Sequence, residues 1–96
     1  MANICENTLQ VYSENPENLK CVESFFKDWG DVEKIDKENL EIYFGSKWTF
    51  PEKEMDKLYA ELPDKNNISM TCLSVEWGCF YCQFHTCDED GWTAED

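Results

Sequence analysis

The chain is 96 residues long and carries 21 aspartates and glutamates against 8 lysines, with no arginine and one histidine, a formal net charge of -13. That balance repels phosphate backbones and anionic lipid, so direct binding to nucleic acid or membranes is not expected, and it attracts basic partners within a screening length of about 8–10 Å. With 42% hydrophobic and 15% aromatic residues the chain lies outside the disordered class, and its length fits one compact domain.

The charge is also unevenly placed. Every lysine falls between Lys20 and Lys65, so residues 1–19 and 66–96 hold acids with no base to offset them. No apolar run reaches the roughly 18 residues of a membrane span, and the start lacks the basic segment and apolar stretch of a signal peptide. A cytoplasmic protein is expected. Its six cysteines, Cys5, Cys21, Cys72, Cys79, Cys82 and Cys87, then read as free thiols acting as small hydrophobes rather than as a disulfide framework.

From Cys5 to Tyr12 the residues alternate, with Asn7, Leu9 and Val11 on one face and Thr8, Gln10 and Tyr12 on the other, the period of a half-buried strand. Asn15-Pro16-Glu17 supplies a cap, a proline whose missing N–H costs nothing, and an acid for a first turn. Leu19, Val22, Phe25, Phe26 and Trp29 follow at helical spacing until Gly30. Residues 31–36 read as a short charged edge strand. The turn 36–39 then leads to Leu40, Ile42 and Phe44 alternating with Glu41 and Tyr43, which makes a hairpin.

A second helix is expected to open at Thr49, capped with Glu52 as a capping box. It places Met55, Leu58, Tyr59 and Leu62 on one side and stops at Pro63. Residues 67–77 read as a strand, Trp77-Gly78 as a turn or bulge, and Cys79 to Cys87 as another strand with Phe80, Cys82 and Phe84 on one face. The predicted fold is α+β, a ferredoxin-like βαββαβ sandwich with one extra C-terminal strand and two helices on one face of an antiparallel sheet. Residues 1–87 form the domain, and 88–96 a loose acidic tail. In that topology the lysine-free first and last core strands are neighbours, so one half of the sheet is expected to be anionic.

The run Tyr43-Phe44-Gly45-Ser46-Lys47-Trp48-Thr49-Phe50-Pro51, the helix to Leu62-Pro63, then Glu76-Trp77-Gly78-Cys79-Phe80 and Gly91 resemble the YubB-like ferredoxin-fold family of plasmid and phage genomes. The opening Asn3-Ile4-Cys5 before a strand is similar to that family's start. One departure is the glycine that often follows the second aromatic of the last strand, where this chain has Gln83 and Phe84. The resemblance implies the fold and a mobile-element context. It carries no activity and no functional residue.

Cys79, Cys82, His85 and Cys87 are the one group with zinc-ligand chemistry, yet on a strand Cys79 and Cys82 point to opposite faces and Cys79 lies roughly 20 Å from His85 at about 3.3 Å per residue. Cys-His catalysis needs a thiol with a lowered pKa, and acidic surroundings raise it. None of the four glycines builds a phosphate loop, and no carboxylate pair stands out among 21 acids. No cofactor and no enzymatic activity are expected.

Tyr12, Tyr43, Tyr81 and His85 are expected on the sheet face without helices, where RNA-recognition domains stack bases, but nothing here would hold phosphates. The residues expected to bind a partner are Tyr12, Tyr43, Glu76 and Tyr81 with the acids Asp88, Glu89 and Asp90. The expected function is that of a non-enzymatic acidic interaction module from a phage or other mobile element. It would occupy a basic protein surface, such as that of a host nucleic-acid-handling or defence protein, by mimicking the charge of DNA. A small zinc- or redox-sensing domain built on the Cys/His group is the alternative, and a homodimer through the exposed sheet stays open.

Overall fold

A computed structural model describes residues 4–47, 49–78 and 81–95. The elements run β1 (Ile4–Tyr12), α1 (Pro16–Phe25), β2 (Asp31–Lys34), β3 (Asn39–Lys47), α2 (Glu52–Glu61), β4 (Ser69–Glu76), β5 (Tyr81–Asp88) and β6 (Gly91–Glu95). All strands pair antiparallel in one sheet of order β2-β3-β1-β4-β5-β6. The fold is therefore α+β, and its first four strands have an order compatible with a ferredoxin-like arrangement.

The period-2 pattern of β1 decides which face is covered. Cys5, Asn7, Leu9 and Val11 are buried, and the register aligns Leu9 with Ile42 on β3 and with Cys72 on β4. Both helices bury their apolar sides in the same core, Leu19, Val22 and Phe26 from the α1 segment and Met55 and Leu58 from α2. Each such side chain contributes about 1.5–3 kcal/mol when fully buried. Asn15 caps α1 as its sequence suggests, its Oδ1 accepting the Glu17 N–H at 3.0 Å. The buried Asn18 then ties α1 to the loop after α2. Its amide donates to Asp64 O at 2.8 Å and Asn67 O at 3.0 Å, and its oxygen accepts the Asp64 N–H at 3.0 Å.

Three expectations give way here. Helix α2 starts at Glu52 rather than at a Thr49 cap. The residue before a proline is kept out of the helical region, so Phe50 cannot join the helix, and Thr49 instead receives the Ser46 hydroxyl on its carbonyl at 2.6 Å. Two strands rather than one follow the core, because Gly91–Glu95 pairs with β5 where a loose tail was expected. Gly91, at φ 98°, supplies the left-handed position of that hairpin turn, and Tyr59 on α2 donates its hydroxyl to Glu89 O at 2.6 Å. The expected anionic half of the sheet, β1 beside β4 with no lysine on β1, β4, β5 or β6, gives way only at its centre. β1 sits mid-sheet, and the outward positions Thr71, Leu73 and Val75 of its lysine-free neighbour β4 are uncharged.

Candidate interaction surface

Helices cover one face of the sheet, so the register alone assigns the other. One row of aligned positions crosses it as Asp31, Tyr43, Thr8, Leu73 and Phe84. Tyr43, Leu73 and Phe84 are 41%, 43% and 40% exposed. Along β4 the same side continues through Val75 to Trp77, which is 71% exposed and donates its indole N–H to Glu6 at 3.0 Å. Ile4 and Cys82 extend the patch on β1 and β5. Ile4 and Tyr43 also border a shallow depression of about 460 Å³ with Glu6, Thr8, Asp31 and Gly45. A Cβ on Gly45 would lie 3.1 Å from Cγ2 of Ile4, so glycine keeps that site open.

On the covered side of the same strands the polarity is reversed. Asn7, Ser74, Glu76 and His85 are all at least nine-tenths buried. Ser74 donates to Asn7 Oδ1 at 2.6 Å, and Asn7 donates to Ser46 Oγ at 2.9 Å. Glu76 accepts the Gly78 N–H at 2.8 Å. His85 stacks on Phe50 with ring centres 3.7 Å apart. Burial lowers the His85 pKa, with Glu52 acting weakly the other way, and among the described residues its Nδ1 is the buried side-chain atom left without a hydrogen-bond partner. β4 and β5 thus bury a serine, a glutamate and a histidine beside Met70, Cys72 and Cys87 while leaving a leucine and a phenylalanine exposed and a valine half-exposed, a mixed pattern for a half-solvated sheet.

Acidic positions on the open face are most numerous on β2, β3 and β1, with Asp88 at the end of β5 on the opposite side. Glu33 and Glu41 are directly opposed across β2 and β3, and Asp31, Glu6 and Asp88 point the same way. Among the described side chains on strand positions of this face, Lys47 is the lysine that answers them; Lys34 turns to the covered side and pairs with Glu23 at 3.6 Å. The face thus has an apolar centre on β4 and β5, a broad acidic flank on β2, β3 and β1, and a smaller acidic margin at the Asp88 and Glu95 positions on the other side.

The predicted partner-binding residues divide. Tyr12 and Tyr43 lie on the open face, each donating its hydroxyl to a neighbouring glutamate, Glu14 and Glu41. Tyr81 does not, and neither does His85, which was expected on the same face. The pairing of Cys72 with His85 puts both β5 residues on the covered side, where Tyr81 donates to Gln83 at 2.7 Å. Glu76 is likewise buried rather than part of an acidic surface. Asp88, Glu89 and Asp90 are exposed in the β5–β6 turn, Asp88 accepting the Asp90 N–H at 2.8 Å.

The Cys/His group is not brought together. Cys82 is exposed on the open face, His85 and Cys87 are buried on the other, and Cys79 lies outside the described residues. No cluster of three or more metal-ligating side chains occurs among the described residues. Burial pushes the Cys72 and Cys87 thiols up to about 12. Among those residues, too, no helix is long and apolar enough to cross a membrane. Residues missed in the sequence are Leu73, Val75, Phe84, Glu33 and Glu41. The alternation of Leu73, Val75 and Trp77 against Ser74 and Glu76 was the available signal, but it does not say which set faces the helices. No family model, curated protein or solved structure matches the chain.

Proposed function

We propose that this chain is a non-enzymatic interaction module that docks the open face of its sheet onto a basic protein surface. The observation behind the reading is the register-paired Leu73 and Phe84, both about 40% exposed beside an acidic flank while Ser74, Glu76 and His85 are buried behind them. An apolar centre with a charged margin is the anatomy of a protein interface, and the margin selects a partner of opposite sign. The ferredoxin-like reading of the core and the resemblance to YubB-like proteins of phages and plasmids belong to the same proposal. In that setting the partner is a host nucleic-acid-handling or defence protein whose basic groove the carboxylates occupy in place of DNA. The zinc or redox alternative has no comparable support.

The test is in-cell photo-crosslinking from position 73, with position 57 on the exposed side of α2 as control, followed by capture at rising salt. Adducts with basic proteins should form from position 73 alone, fall away between about 50 mM and 0.5 M salt, and vanish in Phe84→Ser. Adducts forming equally from position 57, or capture indifferent to salt, would refute the reading.

A further inference from the structure

The shape of this face says more about its occupant than its charge does. β4 is an interior strand, flanked by β1 and β5 with its backbone hydrogen bonds satisfied on both sides, so no added strand can reach the apolar centre. Contact there must come from side chains standing off another element. The stripe from Leu73 through Val75 to Trp77 spans about 13 Å at roughly 3.3 Å per residue, or about two and a half helical turns. Its width, with Phe84 and Cys82 on one side and Thr8 and Ile4 on the other, is about three strands spaced at roughly 4.8 Å, close to the 10–12 Å diameter of a helix.

The margins of the stripe differ. Toward β1, β3 and β2 lie Glu6, Glu41, Glu33 and Asp31, while toward β5 and β6 the acidic positions are fewer, Asp88 at the end of β5 and Glu95 opposite Phe84, with the neutral Thr86 between the strand ends. A uniformly basic surface would set cations against the apolar centre as well as against the acids. An element with an apolar stripe and cations along one flank would match both parts. Resting on the docking reading above, we infer that the occupant is a basic amphipathic α-helix of the partner, lying along β4 with leucine-like side chains on Leu73, Val75 and Phe84. Its lysines or arginines reach the β2–β3 carboxylates, and one of them enters the depression between Ile4 and Tyr43, its stem on apolar carbon and its head near Glu6 and Asp31. Such a helix would complete a third layer and cover the sheet on both faces.

A second copy of this chain fits less well, because two faces with this acid excess would meet without cations to separate them. The test uses a synthetic peptide of about 15 residues made of leucine and lysine. One version is patterned with leucines at i, i+3, i+4 and i+7 and lysines along one flank, and the other is a shuffle of the same composition. Titrations are followed by amide chemical shifts of the labelled protein and by circular dichroism of the peptide. The patterned peptide should bind at least tenfold tighter, gain helix, and shift Thr8, Leu73, Val75 and Phe84, with Leu73→Ser and Phe84→Ser each returning it to the level of the shuffle. Equal binding of both peptides overturns the helix while leaving a basic partner in place. No binding of either overturns both readings. A protein that dimerises through Leu73 at micromolar concentration, seen by light scattering and lost in Leu73→Ser, overturns the helix in favour of a second copy.

Discussion

Two buried thiols make a measurable demand on folding at alkaline pH. Cys72 and Cys87 are 0% and 2% exposed and are pushed up to about 12, against an ordinary value of 9.0 in the unfolded chain. Desolvation is the leading cause for both, reinforced at Cys87 by the neighbouring Asp88 and Asp56. Because the folded pKa is raised, their contribution is complete below pH 9 and is lost as pH rises toward 12, the unfolded chain giving up protons that the folded one retains. One pKa unit corresponds to about 1.4 kcal/mol, so at pH 10.5 each thiol costs about 2 kcal/mol and the pair about 4. A domain of this length is stable by about 5–14 kcal/mol, so roughly 30% or more of that stability should disappear. Urea unfolding followed by circular dichroism from pH 7 to 10.5, in reductant, reads the loss directly. Cys72→Ala/Cys87→Ala should start less stable at pH 7 and then fall much less steeply. A loss under about 1 kcal/mol in the parent, or an equally steep fall in the double variant, would refute the reasoning and reopen thiolate chemistry at these positions.

Two further outcomes concern the polar groups inside the fold. Asn18→Ala should cost about 1–3 kcal/mol in the same urea assay, since it removes the partner of the Asp64 N–H and leaves Asp64 O with only the Asn67 N–H and Asn67 O with only the Ser13 hydroxyl. His85 is held below its usual pKa by burial, so the unfolded chain takes up the proton first and stability contributed by the neutral ring is present above about pH 6.5 and lost as pH falls. His85→Phe, which keeps a ring against Phe50, should therefore lose less stability than the parent between pH 7 and 5. A parallel pair of curves would count against that assignment.

The helices and strands were largely legible in the sequence because their signals are local. Asn15 and Pro16 mark a helix start whatever surrounds them, and the alternation from Cys5 to Val11 is unambiguous because Leu9 and Val11 have no apolar rivals on the other face. β4 and β5 lack that asymmetry. Met70 and Cys72 compete with Leu73 and Val75, and Phe84 competes with Cys87, so a single strand's pattern leaves its orientation open. The choice is made by register with β1, a long-range fact, and a one-residue slip reverses every side chain. That is why Tyr81, His85 and Glu76 were expected on the wrong side, and why Leu73 and Phe84 were overlooked. The α2 start differs from the sequence expectation for a local reason, Pro51 overriding an apparent capping box.

The acidic excess acquires a different meaning once it is placed on the sheet. Segregation of lysines along the chain suggested an anionic edge made of the first and last strands, yet β4 and most of β5 present neutral or apolar side chains outward. The carboxylates that matter are on β2 and β3, where Glu33 and Glu41 oppose each other across the ladder in a stretch that also contains lysines. A like-charge pair at directly opposed positions destabilises a sheet by a few tenths to about 1 kcal/mol. The free protein bears that repulsion, together with the exposure of Leu73, Val75 and Phe84. In the docking proposal, a partner that supplies cations and apolar surface would relieve both at once. Glu33→Gln should thus stabilise the isolated domain slightly while weakening partner capture, a sign reversal that a purely structural role for Glu33 would not produce.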